Sequence, residues 1–182
     1  MRQLLLLRHA KSSWDDPAMP DHARPLNARG RHAATSMRAA MCNLGLTPDV
    51  VLVSSSRRTL QTLEALEPWD ETPIIEPMDR LYLADVPALL GIIRGVTATV
   101  RGLMLIGHNP GLHDLAMLLA GTQGAPTERH ASDPAQLQRL SQGFPAGALA
   151  EFTIAADWRD LAQGSGRLVR FLCPRDLPEM AS

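Results

Sequence analysis

Cysteine is almost missing from this chain. Only Cys42 and Cys173 occur, far apart, in apolar surroundings and in neither CxxC nor metal-type spacing. A disulfide scaffold and a cysteine-based metal site are therefore not expected, and both thiols read as buried small hydrophobes. An excess of one charge is missing too: 18 basic and 19 acidic residues give a net charge of −1. Nothing in that balance calls for nucleic acid or an anionic membrane as partner. A local basic pocket stays open, because net charge does not report distribution. Long apolar runs are also lacking. Leu4 to Leu7 fall well short of the ~18 apolar residues of a spanning helix. They are also too few for a signal peptide's apolar stretch, and Arg8 and His9 follow at once. The expectation is a cytoplasmic protein.

What remains is ordinary for a soluble globular chain, with 45% hydrophobic and 20% charged residues among 182. That length suits one domain over 1–182, and two small domains would be strained. No internal repeat is present.

Leu4 to Leu7 read as a central strand buried on both faces, although periodicity alone does not exclude a helix. A proline- and Asp-rich loop covers 11–26. Asn27 caps a helix to about Leu44, stopped by Gly45, with Ala33, Met37, Ala40, Met41 and Leu44 at helical spacing. Asp49 to Val53 reads as a second buried strand, followed by a helix from about Ser56 to Leu66. A short strand over 73–76, a helix from Val86 to Gly95 with Pro87 in its first turn, a buried strand from Leu103 to Ile106 and a helix from Leu112 to Leu119 come next. Residues 121–145 read as a long loop that partly covers the site, with a short helix around 134–140. Ala148 to Ile154 and Arg167 to Leu172 close the chain as an antiparallel hairpin. Alternating strands and helices predict a three-layer α/β/α sandwich around a mainly parallel sheet.

In such sheets ligands bind beyond the carboxyl ends of the strands. Arg8-His9, Ser54 to Arg58 and His108-Asn109 each follow a buried strand, so all three are expected at one edge. Singly, each has a plain structural reading: a histidine as a hydrogen-bonding or capping residue, an arginine as a solvated helix residue. Together they form a cationic pocket with no obvious carboxylate, which suits a phosphoryl group. Arginine's planar fork matches phosphate oxygens bidentately, and a helix start near Ser56 adds free N–H groups. A neutral His9 could attack phosphorus through its bare ring nitrogen, the other nitrogen being tied to a backbone carbonyl. Arg8 and Arg58 would hold the equatorial oxygens, and His108 would donate as charge builds. The whole reading requires residues 9, 58 and 108 to lie well within ~10 Å of one another. A metal held by His9, His108 and His113 is disfavoured, because no HxH or HExxH spacing occurs and arginines would repel a cation.

Leu7-Arg8-His9-Ala10-Lys11-Ser12 resembles the Arg-His-Gly/Ala signature of the histidine phosphatase superfamily, which includes the cofactor-dependent phosphoglycerate mutases. Arg24-Pro25-Leu26-Asn27-Ala28-Arg29-Gly30 resembles its helix-start motif. Ser54-Ser55-Ser56-Arg57-Arg58-Thr59-Leu60-Gln61-Thr62 resembles its Ser-x-x-x-Arg-x-x-Gln-Thr pattern, a register that selects Arg58 over Arg57. Gly107-His108-Asn109-Pro110-Gly111 resembles its second-histidine motif. Ala10, Lys11-Ser12, the His-Asn-Pro-Gly turn and Phe144 to Ala148 are most similar to the SixA-type phosphohistidine phosphatases. The resemblance covers roughly residues 2–172. It implies a phosphoglycerate mutase-like fold with no cofactor and no metal, and catalysis by His9, Arg8, Arg58 and His108. Arg8, Arg58, His108, Lys11 and Asn109 would bind a phosphorylated substrate, such as a protein carrying phosphohistidine.

One departure concerns the acid. Broader members of the superfamily place a carboxylic acid after a middle strand; here Glu76, Asp79 and Asp85 lie in that region, none in a secure motif. An imidazole leaving group needs no strong acid, whereas an alkoxide does, so phosphohistidine is favoured over a sugar phosphate. The alternatives are a phosphomonoesterase for small sugar or nucleotide phosphates, a phosphate- or phosphoprotein-binding module without turnover, and a mutase. Retention of His9, Arg8, Arg58 and His108 speaks against the module, and the short chain without a lid acid against the mutase. Lys11 is either a charge on the pocket rim or a solvated lysine. His22, His32, His113 and His130 read as bystanders.

Overall fold

The computed structural model describes residues 1–121 and 132–178. Six strands form one sheet: β1 (Arg2–Arg8), β2 (Val50–Ser54), β3 (Ile74–Met78), β4 (Gly102–Gly107), β5 (Leu149–Ile154) and β6 (Gly166–Leu172). Their order is β3-β2-β4-β1-β5-β6. β1 pairs parallel with β4, and β2 parallel with both β4 and β3. β5 runs antiparallel to both β1 and β6. Five strands therefore share one direction, and the closing hairpin forms as the sequence predicts.

The leucine run behaves as a strand buried on both faces. Leu5 and Leu7 join Val51, Val53, Met104 and Ile106 beneath α1 (Ala28–Leu44) and α2 (Arg57–Glu64). Leu4 and Leu6 join Leu52, Leu103, Leu105 and Phe152 beneath α3 (Val86–Arg94), α4 (Gly111–Ala120) and α5 (Pro134–Ser141). Successive side chains point to opposite faces, so an unbroken apolar run needs a helix layer on each side. This is the three-layer sandwich with a mainly parallel sheet. Burying each leucine contributes about 2 kcal/mol.

The helix ends follow their caps. Asn27 accepts the Gly30 N–H at 2.7 Å, and Gly45 ends α1 at φ 65°. Asp85 accepts the Ala88 N–H at 3.0 Å to start α3. Two sequence expectations for α1 change. Its buried stripe is Gly30, Ala34, Met37 and Met41, while Leu44 is 40% exposed. Cys42 lies off that stripe and is exposed, whereas Cys173 is buried. The predicted helix around 134–140 is α5. The rest of the predicted loop includes 122–131, which lie outside the described residues, as does His130. Among the described residues, no helix is long and apolar enough to cross a membrane.

Candidate active site

Because β1, β2 and β4 are parallel neighbours, their carboxyl ends deliver His9, Ser54 and His108 to one edge. The His9 backbone is held from two sides: its N–H donates to Gly107 O at 3.1 Å, and its carbonyl accepts from the Gly147 N–H at 3.0 Å. The Ala10 N–H donates to Thr62 Oγ1 at 3.0 Å, and Thr62 Oγ1 donates to Arg58 O at 2.7 Å. That hydroxyl ties the His9–Ala10 loop to α2, one turn beyond Arg58. Gly30 makes the loop's approach possible, since a Cβ there would stand 2.1 Å from Lys11 O.

The imidazole tautomers follow from their partners. His9 Nδ1 lies 2.8 Å from Ala10 O. A carbonyl only accepts, so Nδ1 carries the proton and Nε2 is bare. Arg58 Nε donates toward that Nε2 at 3.4 Å. His108 Nδ1 lies 3.5 Å from Arg58 Nη2, and its Nε2 is 2.8 Å from Ser54 Oγ. A guanidinium only donates, so His108 presents Nδ1 as acceptor and donates from Nε2 to Ser54. The two rings stand 5.1 Å apart between centroids, inclined at 54°.

Burial is the main reason both imidazoles resist protonation. It pulls His9 down to about 4 against the opposing pull of the Ala10 bond, with Arg58, Arg8 and Arg24 lowering it further. Burial, His9 and Arg58 pull His108 down to about 3. Near neutral pH both rings are uncharged.

Sequence reasoning saw no carboxylate in this pocket; the structure corrects that. Asp21 accepts from Arg58 twice: Nη1 donates to its carbonyl at 2.6 Å, and Nη2 to Oδ2 at 3.0 Å. Arg24 Nη1 donates to Oδ1 at 2.9 Å, and the Tyr82 hydroxyl donates to Oδ2. Tyr82 first, then Arg58 and Arg24, hold the Asp21 carboxyl far below the usual carboxylate range. Arg24 is buried beneath the exposed Trp14, its guanidinium 3.2 Å from the ring centre. Tyr82 sets its ring edge-on to His108 at 5.4 Å and to His22 at 4.8 Å. His22, read as a bystander, thus stands at the rim, with Nε2 3.1 Å from Ser55 Oγ. The signal for Asp21 lay in its place on the loop after His9; Tyr82 carried none.

The other expected residues separate. Arg57 is exposed and Arg58 buried, as the motif register requires. Arg8 Nη1 and Asn109 Nδ2 both donate to Phe144 O at 2.9 Å, and neither bonds directly to His9 or Arg58. Burial, then Arg58, lowers the Arg8 pKa. Lys11 is exposed, and its carbonyl accepts the Asn27 N–H at 3.0 Å. Glu76 and Asp79 are exposed, and Asp85 is the cap of α3; none bonds to the histidines or Arg58. His113 Nε2 lies 2.8 Å from Leu140 O, away from the pocket.

The family model described as histidine phosphatase superfamily, branch 1, matches residues 4–81, a stretch that holds His9, Asp21 and Arg58. An uncharacterized Mycobacterium tuberculosis protein is 35% identical over 173 residues, covering 93% of this chain and all of that one. The solved structure of a Nakamurella multipartitia protein, named as a candidate phosphohistidine phosphatase SixA, superposes with a TM-score of 0.81 at 30% identity, covering 95% of this chain and 96% of that one. A similarly named protein from Agrobacterium tumefaciens gives 0.77 at 28% identity, over 95% and 98%.

Proposed function

This chain belongs to the histidine phosphatase superfamily, in its SixA-type branch, and from that premise we propose that it is a phosphatase that removes the phosphoryl group from phosphohistidine on a protein, with His9 as nucleophile. The observation that carries this reading is the bare His9 Nε2, beside the Arg58 Nε–H at 3.4 Å and under a second neutral imidazole. In the first step Nε2 attacks phosphorus, the P–N bond to the substrate imidazole breaks, and the departing nitrogen takes a proton from solvent. The phosphoryl group is then on His9, and the Nδ1–H bond to Ala10 O spreads the positive charge the ring gains. Water attacks the same phosphorus in the second step, inorganic phosphate leaves, and Nε2 is bare again. The geometry favours an undemanding leaving group, because Asp85 is engaged as a helix cap and Glu76 and Asp79 face solvent. An alkoxide would need a placed acid to leave at a comparable rate.

The test is turnover of a phosphohistidine peptide beside a panel of phosphomonoesters, for the unaltered protein and His9→Ala, with acid-quenched samples examined for phosphate on residue 9. Peptide turnover that disappears in His9→Ala, with label on His9, is expected. Faster turnover of a sugar or nucleotide phosphate would replace the substrate assignment, and an active His9→Ala would end the mechanism.

A further inference from the structure

Arg58 has two usable edges, and they face different partners. The edge formed by Nε and Nη2 is turned to the imidazoles, with Nε 3.4 Å from His9 Nε2 and Nη2 3.5 Å from His108 Nδ1. The edge formed by Nη1 and Nη2 is occupied by one residue, Asp21, through its backbone carbonyl at 2.6 Å and Oδ2 at 3.0 Å. A guanidinium is planar and its donors are fixed relative to one another, so gripping one edge sets the direction of the other. Asp21 is itself held. Arg24 donates to Oδ1, and Arg24 is fixed in turn by Ser13 O at 2.9 Å and Ser12 Oγ at 2.6 Å. The Tyr82 hydroxyl donates to the other carboxylate oxygen, Oδ2. The short 3-10 turn Asp21–Ala23 brings this carboxylate over α2.

We propose that Asp21, braced by Tyr82 and Arg24, is a positioning residue that aims the Nε/Nη2 fork of Arg58 at the phosphoryl group in transit between substrate and His9. The assignment rests on the proposed role of His9. In-line transfer depends steeply on where the equatorial oxygens are held, and a misplacement of about 1 Å costs about 100-fold. The opposing possibility is that Asp21 is a resident competitor, its carboxylate holding Arg58 against incoming phosphate. The two make opposite predictions, because a positioning group stabilises the transition state while a competitor weakens anion binding.

Asp21→Asn keeps the shape and the backbone carbonyl but removes the charge that fixes the fork; Tyr82→Phe removes a single brace. Steady-state kinetics on a phosphohistidine peptide, with orthovanadate as the inhibitor that mimics the phosphoryl transition state, read the difference. For Asp21→Asn, kcat should fall about 100-fold while KM moves less than about threefold, and the vanadate inhibition constant should rise with the loss in kcat/KM. Tyr82→Phe should show the same pattern at about a tenth of the size, which keeps the proposal testable should Asp21→Asn fold poorly. Unchanged kcat in both variants, or tighter vanadate binding in Asp21→Asn, would overturn it. An inactive His9→Ala beside a fully active Asp21→Asn sinks this assignment alone, whereas an active His9→Ala sinks the catalytic reading on which it depends.

Discussion

Replacing His9 by Asn should make the protein less sensitive to acid. An unfolded imidazole titrates at 6.5, whereas His9 in the fold titrates at about 4. Between those values the unfolded chain binds a proton that the folded chain refuses, so stability falls as pH falls. At pH 5 about 1.5 units of that window have been crossed, which at about 1.4 kcal/mol per unit costs about 2 kcal/mol. The penalty grows to about 3 kcal/mol once pH passes below the folded value. His9 is only 9% exposed, so solvent screening takes little from this figure. Asn cannot titrate, and the variant escapes the penalty. Since His9 is itself one of the causes that lower His108, its removal also eases the second ring, and the gap widens slightly. Urea unfolding of both proteins at pH 8 and pH 5 measures it directly: the unaltered protein should lose about 2 kcal/mol more than His9→Asn. Equal losses, within about 0.5 kcal/mol, would mean that the ring titrates normally and that its neutrality near pH 7 has another cause.

Asp85→Ala should cost about 1 kcal/mol through the lost cap of α3, with Tm as the measure. Phosphohistidine turnover in Asp85→Ala and Asp79→Asn should stay within about threefold, and a loss of about a thousandfold in either would establish a general acid. Gly30→Ala places a methyl 2.1 Å from Lys11 O. The colliding atom is backbone that cannot step aside, so both Tm and kcat/KM should drop, the former by the equivalent of about 1–3 kcal/mol. Thr62→Val strips the Ala10 N–H of its acceptor and Arg58 O of a donor. It should cost about 1–3 kcal/mol in denaturant unfolding and lower kcat, because Ala10 also carries the carbonyl that orients His9.

The parts of this structure legible in the sequence are those governed by local rules. A four-leucine run halted by polar Arg8 suits a strand between two helix layers, and Asn27 and Gly45 mark the ends of α1 by capping and left-handed backbone. His9, Arg58 and His108 could be brought together because each follows a buried parallel strand, and parallel strands present their carboxyl ends at a common edge. Asp21 escaped for the opposite reason. It lies in an irregular proline-rich loop with no periodicity, and its importance depends on Arg58, 37 residues later, and Tyr82, 61 residues later. Arg24 appeared only as a letter in a motif. That it is buried under Trp14 while gripping Asp21 is a tertiary fact. The exposure of Cys42 follows from the same limit: composition assigns a thiol to the interior, but its position on the helix decides.

The charges of the site add to burial in keeping its imidazoles neutral, and a bound anion would change that part. Arg8, Arg24 and Arg58 all lower the His9 pKa, and among the described residues Asp21 is the one carboxylate bound among them. Among the described residues, three positive charges against one negative leave an excess of two around the buried His9 ring, although Asp21 itself is exposed. That excess adds to burial, the larger cause, in holding His9 unprotonated, which is the form with a lone pair to offer. It also matches a phosphoryl dianion in magnitude, so an arriving substrate would cancel the charge contribution that adds to burial in depressing both rings. The pKa values of both would then rise, and at His108 the atom to gain a proton is Nδ1, since Nε2 already donates to Ser54. Nδ1 is the nitrogen on the Arg58 side. Substrate binding would in this way convert His108 from an acceptor beside the guanidinium into a donor aimed at the same oxygens, as negative charge accumulates there.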